Sequence, residues 1–107
     1  MSYARTVTLR FKPGKREEGM RALDRFQEYA DDPQGFQGVQ VLLPDDPDQA
    51  TLVTLWGSGA AREASQYGIF RSIMDGLQEL LEAPPEIKDQ ELRDVGPGII
   101  QTSVWTT

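Results

Sequence analysis

Six side chains in the middle of this chain could do chemistry on a small organic molecule: Trp56, Gln66, Tyr67, Phe70, Arg71 and Met74. The Trp56 indole could stack on an aromatic ligand, or lie in a core with its N–H satisfied. Gln66 and Tyr67 could hydrogen-bond a substrate hydroxyl, or sit half-buried at the surface. The Arg71 guanidinium suits planar anionic oxygens. Asp75, four residues on, offers it a helical salt bridge instead. Phe70 and Met74 belong to an apolar stripe with Ile69, Ile73 and Leu77. That stripe reads first as core and second as the dry wall of a pocket, since methionine adapts its shape to either. Arg10, on the polar side of the first strand, could face a pocket, an interface or solvent.

The missing residue types narrow the chemistry further. The chain has neither histidine nor cysteine. It therefore cannot build a Ser-His-Asp triad, a thiolate nucleophile, a disulfide or a zinc-thiolate site. Asp45, Asp46 and Asp48 form an acidic turn without the glycine and the terminal glutamate of a calcium-binding loop. Gly57-Ser58-Gly59 precedes a helix but lacks the rest of a phosphate loop, and Ser58 reads as a helix N-cap. No metal site and no cofactor site is expected. The net charge is −6, and Glu17 and Glu18 interrupt the only loose basic group, Arg5 to Arg16. Nucleic acid is thus not an expected partner. The first residues lack the apolar core of a signal peptide, and no apolar run approaches the roughly 20 residues of a membrane helix. The expectation is a cytoplasmic protein with no membrane partner.

The elements that must position these side chains follow from periodicity. At 107 residues the chain is one domain's worth. Residues 4–12 alternate, with Val7, Leu9 and Phe11 on one side, and predict a strand. Met20, Leu23, Phe26 and Ala30 predict a helix over 15–31, stopped by Asp32-Pro33. Residues 36–43 and 50–56 predict two strands joined by a Pro- and Asp-rich turn, with a bulge or a close approach at Gly38. A helical region follows from Ala60, broken or kinked at Gly68, and runs through Leu77, Leu80 and Leu81 to Pro84-Pro85. Residues 86–95 read as a charged fourth strand. Apolar side chains on both faces of the second and third strands predict cover on both faces of the sheet.

The order strand, helix, strand, strand, helix, strand is the split β-α-β arrangement of ferredoxin-like α+β folds. It predicts an antiparallel four-stranded sheet with two helices on one face. Residues 1–95 form this domain. Residues 96–107, with Ile99, Ile100, Val104 and Trp105, form a C-terminal arm or an extra strand.

With Pro33-Gln34-Gly35-Phe36-Gln37-Gly38 opening the second strand, and Trp56 closing the third before Ala60-Ala61-Arg62-Glu63-Ala64, the chain resembles the antibiotic biosynthesis monooxygenase-like family of the dimeric α/β-barrel superfamily. The resemblance implies a homodimer in which two sheets pack face to face, closing a dimeric α/β barrel. It also implies a pocket between each sheet and its helices. Trp56 corresponds to the strand-ending tryptophan near that pocket, and Tyr67, Phe70 and Met74 fall where relatives line it. Some members oxidise phenolic or polyketide compounds with molecular oxygen and neither metal nor flavin. Relatives often carry glutamate where Leu55 stands and histidine near Ser65-Gln66-Tyr67, and this chain has no asparagine. Haem degradation through a histidine-ligated iron is excluded by inventory. A purely structural interaction module, its helix–sheet gap filled by side chains, is one reading, and two functions with a ligand remain open beside it. One is a cofactor-independent monooxygenase for a small aromatic or polyketide-like compound, with Trp56, Tyr67 and Arg71 as catalytic candidates and Gln66, Phe70 and Met74 beside them as binding residues. The other is a non-catalytic or stress-related homodimer that binds a small hydrophobic molecule.

Overall fold

The computed structural model describes residues 2–93, 95 and 96. Four antiparallel strands form one sheet: β1 (Ser2–Arg10), β2 (Phe36–Leu42), β3 (Gln49–Trp56) and β4 (Glu86–Leu92), in the order β2-β3-β1-β4. Three α-helices accompany them: α1 (Arg16–Ala22), α2 (Gly59–Ala64) and α3 (Ile69–Leu77).

Strand alternation decides which residues meet the helices. Val7, Leu9, Leu52, Thr54 and Trp56 point to the helical side and are buried there. They pack with Leu23, Phe26, Tyr29, Phe70, Ile73 and Leu77 from the helical segments. Ala4, Thr6, Thr8 and Arg10 of β1 lie on the other face, in register with Leu55, Val53, Thr51 and Gln49 of β3.

The expected two helices and closed dimeric α/β barrel are corrected on both counts. The described residues hold three α-helices, because the second helical region breaks at Gly68, whose φ of −142° and ψ of −139° are not helical. The sheet is open, with β2 and β4 as its edges. Four strands in one copy are too few to curl round and meet.

Other boundaries also moved. β1 begins at Ser2, and Phe11 leaves the ladder to bridge Leu81. The single helix expected over 15–31 is α-helical only to Ala22, and residues Leu23–Ala30 tighten into a 310 segment. In a 310 segment, residues three apart eclipse. Leu23, Phe26 and Tyr29 are so spaced, and all three are buried. The fourth strand stops at Leu92 instead of 95. The bulge at Gly38 is present as a register shift between Phe36 and Gly38. It brings Phe36 to the Trp56 ring, 5.3 Å between centroids. The sheet face away from the helices is mixed: Leu42 and Leu92 are exposed beside threonines and glutamines. The C-terminal arm lies outside the described residues.

Two glycines carry packing. Gly35 has φ +82°, and a Cβ there would come 2.5 Å from the Ala61 Cβ, so it lets β2 start against α2. A Cβ on Gly19 would overlap the Phe11 ring, so it lets α1 approach β1.

Candidate functional site

A cleft of about 410 Å³ opens between α3 and the β1–β4 half of the sheet. Gln66, Phe70, Arg71 and Met74 line its helical side. Arg5, Ile87 and Asp89 line the strand side, with Pro85 beside them. Helical spacing places Phe70 and Met74 on one face of α3. The β1–β4 register pairs Arg5 with Asp89 and Val7 with Ile87.

Arg5 is the organising group. It is charged, yet only 3% exposed. Its Nε donates to Asp89 Oδ1 at 2.7 Å and its Nη2 to Asp89 Oδ2 at 3.0 Å, a bidentate pair. Its Nη1 donates to the Ser65 hydroxyl. That hydroxyl in turn donates to the Arg62 carbonyl. The Phe70 ring lies 5.2 Å from the Arg5 guanidinium carbon. These contacts offset the desolvation of a buried cation.

Arg62 adds a second cation beside the pair. Its Nη1 donates to the Gln90 carbonyl at 2.8 Å and sits 3.4 Å from the Ala4 carbonyl. Its Nε is buried without a hydrogen bond and lies 3.8 Å from Asp89 Oδ2. At that distance the attraction is Coulombic only. The Arg5 hydrogen bonds hold the Asp89 carboxyl below the usual carboxylate range; burial opposes this, and the Arg5 and Arg62 charges add to it. A carboxylate so clamped is a weak base and a good structural anchor.

The remaining sequence candidates separate. Trp56 is 1% exposed and lies in the core. Its Nε1 donates to the Thr54 hydroxyl at 3.0 Å. It does not line the cleft; the ring of Phe70, which does, is 6.5 Å away and nearly perpendicular. Tyr67 is 80% exposed and does not line the cleft. Arg71 sits at the mouth, 64% exposed, with Nε donating to Asp75 Oδ1 at 3.1 Å. Its two Nη groups make no hydrogen bond with the described residues. Arg10 is exposed and lies on the face opposite the cleft.

Sequence reasoning missed Arg5, Ser65, Ile87 and Asp89. One clue was available for Arg5: continuing the Val7–Leu9–Phe11 alternation two residues back puts it on the core side. It also missed Tyr29 as a cap. The buried Tyr29 hydroxyl accepts the Phe70 N–H at 3.0 Å, serving the start of α3 where Gly68 offers no side chain. Burial pushes the Tyr29 phenol up, against the pull of the Phe70 N–H and the Arg5 charge. Among the described residues no cluster of acidic side chains could hold a metal ion. No helix among them is long and apolar enough to cross a membrane.

A βαββαβ sheet layered on helices, with a cleft between the sheet and α3, defines a ferredoxin-like α+β protein. The sequence model of the antibiotic biosynthesis monooxygenase family matches residues 2–68, more than half of the chain. The chain belongs to that family. No curated protein matches it. Among solved structures, a Nitrosomonas europaea protein of unknown function is 25% identical, with TM-score 0.71, covering 91% of this chain and 96% of its own. A conserved Methanosarcina mazei protein is 19% identical, with TM-score 0.73, covering 87% of this chain and 94% of its own. Rv0793 from Mycobacterium tuberculosis is 15% identical, with TM-score 0.72, covering 91% and 100%. The last two likenesses speak for the fold alone.

Proposed function

We propose that this member of the family takes a small aromatic or polyketide-like compound into the cleft and oxidises it with molecular oxygen, without metal or flavin. The observation that carries the reading is the lining: an aromatic ring, Phe70, against a buried guanidinium, Arg5, with an exposed one, Arg71, in the same cleft. Phe70, Met74 and Ile87 supply a dry wall for a ring system. Gln66 and Arg71 supply hydrogen-bond donors at its rim. In such an oxidation an activated CH₂ of the substrate becomes a carbonyl, one oxygen atom of O₂ enters it, and the other leaves as water with the two hydrogens. The substrate supplies all the electrons. The family match supports this reaction class.

Dioxygen uptake with a panel of anthrones, and of phenols whose keto tautomer carries such a CH₂, tests it. Uptake that falls at least about tenfold on Phe70→Ala or Arg71→Ala, with product oxygen coming from labelled O₂, supports the reading. Wild type and variants that consume oxygen no faster than buffer with every compound would sink it.

One observation favours a second reading, a non-catalytic binder. Among the described residues Asp89 is the sole carboxylate lining the cleft, and Arg5 holds it in its weakly basic form. A substrate would have to ionise without it. Binding of an aromatic compound with no product formed would decide for this alternative. In either case we propose that the protein works as a homodimer, a second copy covering the sheet face that carries Leu42, Leu55 and Leu92.

A further inference from the structure

The charges around the cleft do not match those of the chain. The whole protein carries −6. Among the described residues the cleft lining carries two guanidiniums, Arg5 and Arg71, and one carboxylate, Asp89. Arg62 stands behind Asp89 with its buried Nε lacking a hydrogen-bond partner. One carboxylate thus serves two largely buried arginines, while the third, at the mouth, has Asp75, which leaves three guanidiniums against two carboxylates. Excess positive charge in a partly desolvated cleft favours an anionic guest.

The free donors say where the anion would sit. Arg5 has five N–H groups, and three make its bonds to Asp89 and Ser65. Arg71 spends only its Nε, on Asp75, and its Nη1 and Nη2 have no partner among the described residues. Two parallel Nη donors fit the two oxygens of a carboxylate. Phe70, Met74, Pro85 and Ile87 line the same cleft as the two guanidiniums. That wall fits a flat ring.

Building on the aromatic-ligand reading above, we propose that the cleft selects planar aromatic carboxylates, with the Arg71 Nη pair receiving the carboxylate and Phe70 and Met74 receiving the ring. Asp75 is then a built-in competitor: it holds Arg71 at the rim and yields part of that pairing when the acid arrives. A neutral analogue of the same shape meets the same apolar wall but leaves the excess charge unmatched.

Naphthoate and naphthamide are suitable probes, alike in ring and unlike in charge. Both are titrated near neutral pH and low salt into wild type, Arg71→Gln and Asp75→Asn. Binding is read from the amide resonances of Gln66, Phe70 and Met74 in nitrogen-edited proton spectra. Naphthoate should bind wild type at least about tenfold more tightly than naphthamide. Arg71→Gln should bring the two within about twofold of each other. Asp75→Asn should tighten naphthoate by about two- to fivefold, the worth of an exposed ion pair. Both variants change exposed side chains, and their spectra report folding directly. Equal binding of acid and amide to wild type overturns the proposal and leaves the aromatic-ligand reading standing. An undiminished preference in Arg71→Gln, or no tightening in Asp75→Asn, also overturns it. If neither probe moves a cleft resonance, both readings fall.

Discussion

Arg5 and Asp89 stand 84 residues apart in sequence and share two hydrogen bonds. Asp89→Asn should lower stability by about 1–3 kcal/mol, because it leaves a buried cation half-served; the value is discounted for a carboxylate that is 36% exposed. Urea unfolding near neutral pH measures it. The pH dependence has a definite sign. The folded Asp89 carboxyl lies below its ordinary value, so its contribution is complete above about pH 4, the range of a free aspartate. It is lost as pH falls below that, through the depressed folded value. The gap in unfolding midpoint between wild type and Asp89→Asn should therefore be full at pH 6 and shrink toward pH 2; a gap constant across that range would contradict the clamp. Tyr29→Phe should cost about 1–2 kcal/mol, since the buried Phe70 N–H loses its acceptor. That Phe70, Arg71 and Met74 share one helix just after the Gly68 break was legible in sequence, because the apolar periodicity resumes at Ile69. Asp89 was not, because only the β1–β4 register makes it Arg5's neighbour, and no local pattern announces a strand register.

At the scale of elements, the order of strands and helical regions was legible, since Pro13-Gly14, Asp32-Pro33 and Pro84-Pro85 punctuate it. The tightening of residues Leu23–Ala30 was not. Leu23, Phe26 and Tyr29 fit an α-helical stripe as well as a three-residue repeat, and what they pack against chooses between them. Ser58 was legible as a cap, and its hydroxyl accepts the Ala61 N–H at 3.0 Å. Ser58→Ala should cost about 1 kcal/mol and fray α2, visible as faster amide exchange over residues 59–64. Gly19→Ala tests the approach of α1 to β1. The added methyl must displace the buried Phe11 ring, so thermal unfolding should show a loss of about 1–3 kcal/mol despite alanine's better helix propensity.

For the whole molecule, the sequence exaggerated one face and hid another. Apolar residues at alternate positions of β2 and β3 pointed to two greasy faces. β1 contributes threonines and Arg10 to the face away from the helices, and β4 contributes Lys88 and Gln90. If a second copy covers that face, as proposed, sedimentation at micromolar concentration should give twice 12.0 kDa. Leu42→Lys should then shift it toward one copy, Leu42 being 57% exposed in the single chain. Wild type sedimenting at 12.0 kDa would refute the assembly.

β4 has no buried side chain along its seven residues, yet Ile87 and Asp89 make one wall of the cleft. That strand hangs on its ladder to β1 and on the grip of Arg5 and Arg62. It is therefore at once an edge of the sheet and a plank in the wall of the cleft. An occupied chamber should bolt that plank, slowing hydrogen exchange along residues 86–92 while the opposite border, β2, keeps its pace.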